Sequence, residues 1–465
     1  MASYRLREVD LPFITSPKMM PEIADSIYAD RFQTFIQRAA KQGIDTVVVY
    51  ADREHSANMA YLTGFDPRFE EALLVCPVNG GTTVIITGPE CQPRAANARI
   101  PVSTKLYPSF GLLGQDRSQT PALLDLLSDC GISQGSKIGI AGWKYFTNME
   151  SPAPDRWIEI PGYVLDGIRT LAGTNGEVTN IGPILMDASH GMRAINELEQ
   201  LAQFEFAAAS VSDAMQRVIS QVRPGQSEYE MLSKAMLPGI PLNSHLMLST
   251  GERARADGLN SPSSRVAQKG DPIMMAFGQW GALTARAGWI AEDAGDLSSE
   301  VQDYVERLAG PYFECVREWY QTIGIGVTGG DIDSMVRSRL GEKFFNLILV
   351  PGHLIHFDEW MNTPIYPGSK EAFRSGQAVQ MDIIPATGTP YFTTNMEDGI
   401  ALLDENARAE LKERFPDLHD RAETRRAYMA DVIGIELKPE VIPLSNTCGI
   451  LAPFVLKPNR ILVAN

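Results

Sequence analysis

The sequence predicts two domains, an α/β domain followed by an α+β domain. Three observations carry this. Strand-type apolar runs alternate with amphipathic helical stretches from Asp30 to Ala141, the pattern of a sheet covered by helices. The longest helical stripe, Met192 to Gln221, opens the second half. From His245 onward the pattern changes to strands punctuated by Gly and Pro. We place the domains at 1–187 and 188–465.

Taken in order, residues 1 to 25 carry Pro12, Pro17 and Pro21 and read as an extended arm over a neighbour or the second domain. Asp30 to Gln42 puts Phe32, Phe35, Ile36 and Ala39 on one helical face. Asp45 to Tyr50 is a buried strand, and Asn58 to Gly64 a short helix. Leu73 to Cys76 and Thr82 to Thr87 flank Asn79-Gly80-Gly81, a hairpin signal. Glu90 to Arg99 and Pro121 to Cys130 read as helices and Lys137 to Ala141 as a strand, with a linker over Asn175 to His190. Pro224-Gly225 stops the long helix, and Ser227 with Glu230 forms a capping box for the next one, to Met236. Ile273 to Phe277 and Ala282 to Ile290 are strands joined by a turn at Gly278 to Gly281. Ser299 to Ile323 is helical, as is Ile332 to Glu342, capped by Asp331 or Asp333. Asn406 to Arg414 is helix-like, and the charged run 415–430 reads as solvated.

Bulk properties narrow the partners. Net charge is −16, which argues against nucleic acid or an anionic membrane, since phosphate binding needs clustered Lys and Arg. No stretch approaches the roughly 18 apolar residues of a membrane span. The five cysteines are scattered without a C-x-x-C pair, as expected of free thiols in a reducing compartment. The N-terminal residues lack an apolar signal region. A cytoplasmic location is expected.

The candidate chemistry centres on Gly352-His353-Leu354-Ile355-His356, Asp382 and Glu397. Each sits in a short apolar run. One imidazole and two carboxylates presented by rigid elements suit a divalent metal or acid/base work. Asp358 and Glu359 are read equally as solvated loop or site residues. Trp360 and Tyr391 are the aromatic candidates for substrate contact.

The order of these segments resembles the creatinase/prolidase/methionine aminopeptidase family. It runs from Val222-Arg223-Pro224-Gly225 through Gly270-Asp271-Pro272, Gly352-His353 and Asp382 to Glu397-Asp398. The region near Arg31 to Gly88 resembles the smaller N-terminal domain of the creatinase and prolidase branch. The resemblance implies a pita-bread fold for the second domain and a homodimer. Metal-dependent members hold two ions with two Asp, one His and two Glu. His353 matches the His, Asp382 the first Glu and Glu397 the second. The two Asp positions fall on Ala276 and Ala287, eleven residues apart, so the dinuclear centre is not expected. The catalytic His of the metal-free creatinase branch falls on Asn260.

Three readings follow. The first is hydrolysis of a C–N bond in a small amide, amidine or peptide-like substrate, with His353, Asp382, Glu397 and His356 as the catalytic set. Asn260, Arg286, Trp360 and Tyr391 would contact substrate, with Arg286 able to replace the missing cation. The second is an inactive binding protein. The third is a peptidase with a single ion on His353, Asp382 and Glu397. No other cofactor is expected. The tail Pro443 to Pro458 is expected to cover the pocket, as the resemblance implies.

Overall fold

The computed structural model describes residues 3–12, 14–114, 116–256 and 259–465. They form two compact units, Ile23–Ala194 and a second one joining the arm up to Glu22 with Ile195–Asn465. The arm's β1 (Tyr4–Glu8) belongs to the second unit. Among the described residues, no helix is long and apolar enough to cross a membrane.

In the first unit, β2 (Thr46–Ala51), β3 (Ala72–Pro77), β4 (Val84–Thr87), β5 (Ser103–Leu106), β6 (Lys137–Ala141) and β7 (Glu177–Asn180) form one sheet. Its order is β5-β4-β3-β2-β6-β7. Central β2 is apolar on both faces and wholly buried, which is why it reads as a continuous run rather than an alternating one. It pairs antiparallel with β3 and parallel with β6. Leu127, Val164 and Ile168 on the covering helices close over Val48, Val75 and Ile138. Each such burial contributes about 1.5–3 kcal/mol, so the unit coheres without cross-links. All five cysteines are free and buried.

Three expectations change here. The segment expected as a linker contains β7 and the helix Pro183–Met186, which extend the unit beyond Asp187 to Ala194. The stretch 90–99 is helical only over Gln92–Ala95, because the chain unwinds to set the Arg99 amide on the Thr63 carbonyl at 2.7 Å. The arm falls outside the first domain despite the 1–187 boundary and lies with the second unit, as its reading as an arm over the second domain expected, since β1 pairs antiparallel with the final strand of the chain.

The second unit is built on an antiparallel sheet. Its strands are β8 (Met247–Thr250), β9 (Pro272–Gln279), β10 (Ala282–Trp289), β11 (His353–Leu354), β12 (Ala378–Met381) and β13 (Asn395–Leu402). They run in the order β11-β12-β13-β10-β9-β8, with β14 (Val441–Pro443) on β13. The arm's partner is β15 (Arg460–Ala464). The helix Leu198–Gln221 packs on β9 and β10.

The β9–β10 hairpin turns on Trp280-Gly281 alone. Gly281 has φ +92°, and a Cβ there would stand 2.0 Å from the Phe204 ring of the long helix, so only glycine fits. This tight turn sets Ala276 opposite Ala285. A slip of one residue would turn both methyls to the other face of the sheet.

Ser227 and Glu230 do form the capping box, but that helix ends at Leu232. The helix expected from Ile332 starts earlier, at Gly329, with Thr328 as its cap and Asp331 completing the box. The charged run 415–430 is solvated on one face only. It forms the helix Pro416–Tyr428, whose Arg421 and Arg425 pair with the buried Glu205 at 2.7 and 2.6 Å.

Candidate functional site

His353 stands on β11, beside Gln380 of β12 in register. Its ring is fully buried and stacks on Trp360, with centroids 4.2 Å apart and planes 17° apart. Nδ1 contacts the Leu354 carbonyl at 3.3 Å. Nε2 lies 3.2 Å from Glu359 Oε1 and 3.5 Å from Glu397 Oε1. Gln380 donates one hydrogen bond to Glu397 Oε1 at 3.2 Å and another to the Leu283 carbonyl at 2.8 Å. The imidazole therefore sits between two carboxylates, one of them held by a strand and a neighbouring amide.

Asp382 follows β12 directly and lines the same cavity as Glu359, Trp360 and Glu397. That cavity has a volume of about 870 Å³. Asp382 is buried, and its Oδ1 has no hydrogen-bond partner. Asn395, two residues before Glu397 and on the same strand face, also lines the cavity. Its carboxamide is fully buried and neither of its polar atoms is partnered. Ala276 and Ala285 contribute methyls to the cavity floor. Phe392 enters the wall with a backbone φ of +65°, a costly conformation for a bulky side chain. The Thr387 amide and hydroxyl hold it there through the Phe392 carbonyl.

Electrostatics follow from burial among like charges. Burial raises Asp382 well above the usual carboxyl range, and the Glu397 charge adds to it against the pull of His353. Burial likewise pushes Glu397 up to about 7, while its hydrogen bond with His353 works downward. For His353, burial alone would lower the pKa. The charge and hydrogen bond of Glu359, followed by those of Glu397, override it and hold the imidazole well above its ordinary value.

The structure brings together His353, Glu397, Asp382 and Trp360, but not the rest of the sequence-derived set. His356 is a packing residue. Its Nδ1 accepts from the Phe357 amide at 2.8 Å and its ring meets Phe204 edge-on. Arg286 turns to the opposite face of the sheet, because adjacent strand residues alternate. There it pairs with Asp398 at 2.7 Å instead of with Asp382 or the Glu397 carboxylate. Asn260 donates to the Arg253 carbonyl at 3.1 Å and is outside the cavity wall. Tyr391 swings outward, its hydroxyl donating to Asp303 at 2.6 Å. The tail does not cover the cavity. Its Thr447 and Ile450 carbonyls accept from Arg286 on the far face.

Two further residues join the site: Glu359, which the sequence left open between solvated loop and site, and Asn395, which was missed. Glu359 replaces Asp382 as the third ligand atom: among the described residues, His353, Glu359 and Glu397 form the group whose potential metal ligands lie within 4.8 Å of one another. Its signal was its place six residues after His353 beside Trp360. Asn395 carried no sequence signal beyond sharing the strand phase of Glu397.

A dinuclear centre does not fit this donor set. The positions that the family resemblance gives to the two Asp ligands are Ala276 and Ala287, which offer methyl groups. One divalent ion fits the His353, Glu359 and Glu397 donors, whose single imidazole and two carboxylates suit such a cation.

Comparison with known proteins supports the architecture. The family model described as Creatinase/Prolidase N-terminal domain matches residues 31–151. Among solved structures, the chain is similar to the recombinant prolidase from Thermococcus sibiricus, at 19% identity and a TM-score of 0.63, covering 81% of this chain and 95% of that one. It is similar to the prolidase from Pyrococcus horikoshii OT3 at 16% identity and a TM-score of 0.59, covering 80% and 95%. The Xaa-Pro dipeptidase from Bacillus anthracis matches at 15% identity and 0.59, covering 82% and 96%. No curated protein sequence matches. The fold is that of the creatinase/prolidase family, an α/β domain followed by a pita-bread domain.

Proposed function

We propose that this chain, built on the creatinase/prolidase fold, hydrolyses a C–N bond in a small amide or peptide-like substrate without a dinuclear metal centre. The observation that carries this is His353 Nε2 between Glu359 and Glu397, with Glu397 and Asp382 exposed to one cavity. The names of the similar structures, prolidases and an Xaa-Pro dipeptidase, support a peptide-like substrate.

The residues divide the work by environment. Glu397, poised at about 7, takes a proton from water as the oxygen adds to the substrate carbonyl carbon. Asp382, kept protonated by burial and by Glu397, donates to the oxygen that gains charge, as a neutral carboxyl in an apolar site can. His353, held protonated, touches both glutamates and fixes their position. As the C–N bond breaks, Glu397 gives the proton it took from water to the leaving nitrogen and the adduct's oxygen returns its proton to Asp382, giving an acid and an amine.

A second reading rests on the compact donor group. One divalent ion on His353, Glu359 and Glu397 would act as a Lewis acid and acidify a bound water. Assays of a panel of dipeptides, amides and guanidino compounds, before and after chelation, separate the two readings. Turnover that survives chelation and falls roughly 10²–10⁴-fold in Glu397→Gln supports the first. Turnover lost on chelation and restored by one equivalent of ion supports the second. Full activity in Glu397→Gln contradicts both.

A further inference from the structure

We propose that the cleft selects a monocationic amide: an ammonium group on an apolar body, with no free carboxylate. This deepens the hydrolytic reading and rests on the same cavity.

The charge of the wall points one way. Glu252 stands at the mouth, and Glu359 and Glu397 stand inside. Among the described lining residues there is no Lys or Arg. The imidazole in the wall, His245, is exposed, with Nε2 at 3.1 Å from the Leu259 carbonyl. Arg286, which could have countered these acids, is committed to Asp398 behind the sheet. Where the family resemblance would place two Asp ligands, this chain has Ala276 and Ala287. Among the described lining residues a substrate carboxylate meets no Lys or Arg, whereas a substrate cation meets several carboxylates.

One buried carboxamide lines the cavity with its acceptor open. Asn395 is 0% exposed, and both its Oδ1 and its Nδ2 lack partners. Asn395 lies directly across from Ala287 in the β10–β13 register, so its carboxamide stands over one of the vacated positions. An ammonium donates hydrogen bonds and accepts none, which matches the acceptor left open beside Glu397. Much of the remaining wall is apolar. Met247, Met274, Leu283, Ile348, Ile384 and Phe392 suit an aliphatic or aromatic body. Zwitterionic dipeptides, which carry a carboxylate, are therefore disfavoured.

Calorimetric titration of the full chain with three matched probes tests this: leucyl-leucinamide, a monocation; leucyl-leucine, a zwitterion; and acetyl-leucyl-leucinamide, which is neutral. The monocation should bind roughly tenfold or more tightly than either of the others. Equal affinities, tighter binding of leucyl-leucine, or no binding by any of the three overturns the proposal. Asn395→Leu should weaken leucyl-leucinamide alone, and Asn395→Asp should strengthen it. A purely structural role for Asn395 would change all three probes alike, or none. Chromatography of the same mixtures reads cleavage separately. A monocation preference without cleavage overturns the hydrolytic reading and retains this one. Faster cleavage of leucyl-leucine than of its amide does the reverse.

Discussion

The two faces of the β10–β13 strand pair make opposite electrostatic choices within a few residues of chain. On the far face, Asp398 receives Arg286 at 2.7 Å, Ser445 at 2.5 Å and Thr447 at 2.8 Å. The Arg286 guanidinium also donates to the carbonyls of Ala285, Glu397, Thr447 and Ile450. Tyr312 both donates to and accepts from the Met396 backbone. On the cleft face, Asn395 and Asp382 Oδ1 have no partner, and Glu397 shares one imidazole with Glu359. Buried polar groups are ordinarily satisfied. One face is wired for stability, and the other holds its groups open for something that arrives later.

Breaking the satisfied face should cost most. Arg286→Leu leaves Asp398 charged and buried, and should lower unfolding stability by about 3–5 kcal/mol, read from urea denaturation at neutral pH. An unchanged midpoint would mean that the pair contributes little and that the contrast between faces is weaker than described.

The cleft face should respond with the opposite sign. Glu397 holds its proton more tightly in the folded state, with a pKa of about 7 against an ordinary 4.5. Its stabilising contribution is therefore full below 4.5, erodes as the pH rises and is lost above about 7. Glu397→Gln removes that loss. It should stabilise the ligand-free protein by on the order of 2–3 kcal/mol at pH 8 and by little at pH 4.5, while abolishing turnover. Stabilisation that does not grow with pH would contradict the assignment. A smaller effect is expected from Asn395→Leu, which deletes two unsatisfied polar atoms. The melting temperature should rise by the equivalent of about 1 kcal/mol, and a fall would show that the carboxamide has a partner in solution.

Much of this was legible in the sequence, for definable reasons. The α/β unit was readable because β2 and its neighbours are uniformly apolar. The hairpin was readable because Gly281 marks it. His353 and Glu397 were recoverable from the order of segments, and the two alanines from their spacing. What stayed hidden depended on direction in space. Strand alternation sends Arg286 away from the cleft, and the preceding sequence cannot say which partner waits there. Glu359 reaches His353 only because the loop after β11 folds back, setting the Met361 amide on the Leu354 carbonyl at 3.1 Å. The run 415–430 looks like a solvated face because its partner, Glu205, lies far away along the chain. Tyr391 is one residue from the cavity wall, but Phe392 points inward and Tyr391 outward.

The metal content of protein purified without chelator tests the central claim most directly. A chain with alanine at positions 276 and 287 should carry at most one divalent ion by elemental analysis, whatever metal is supplied. Ala276→Asp with Ala287→Asp should then raise that limit to two. Two tightly held ions per unaltered chain would contradict the account.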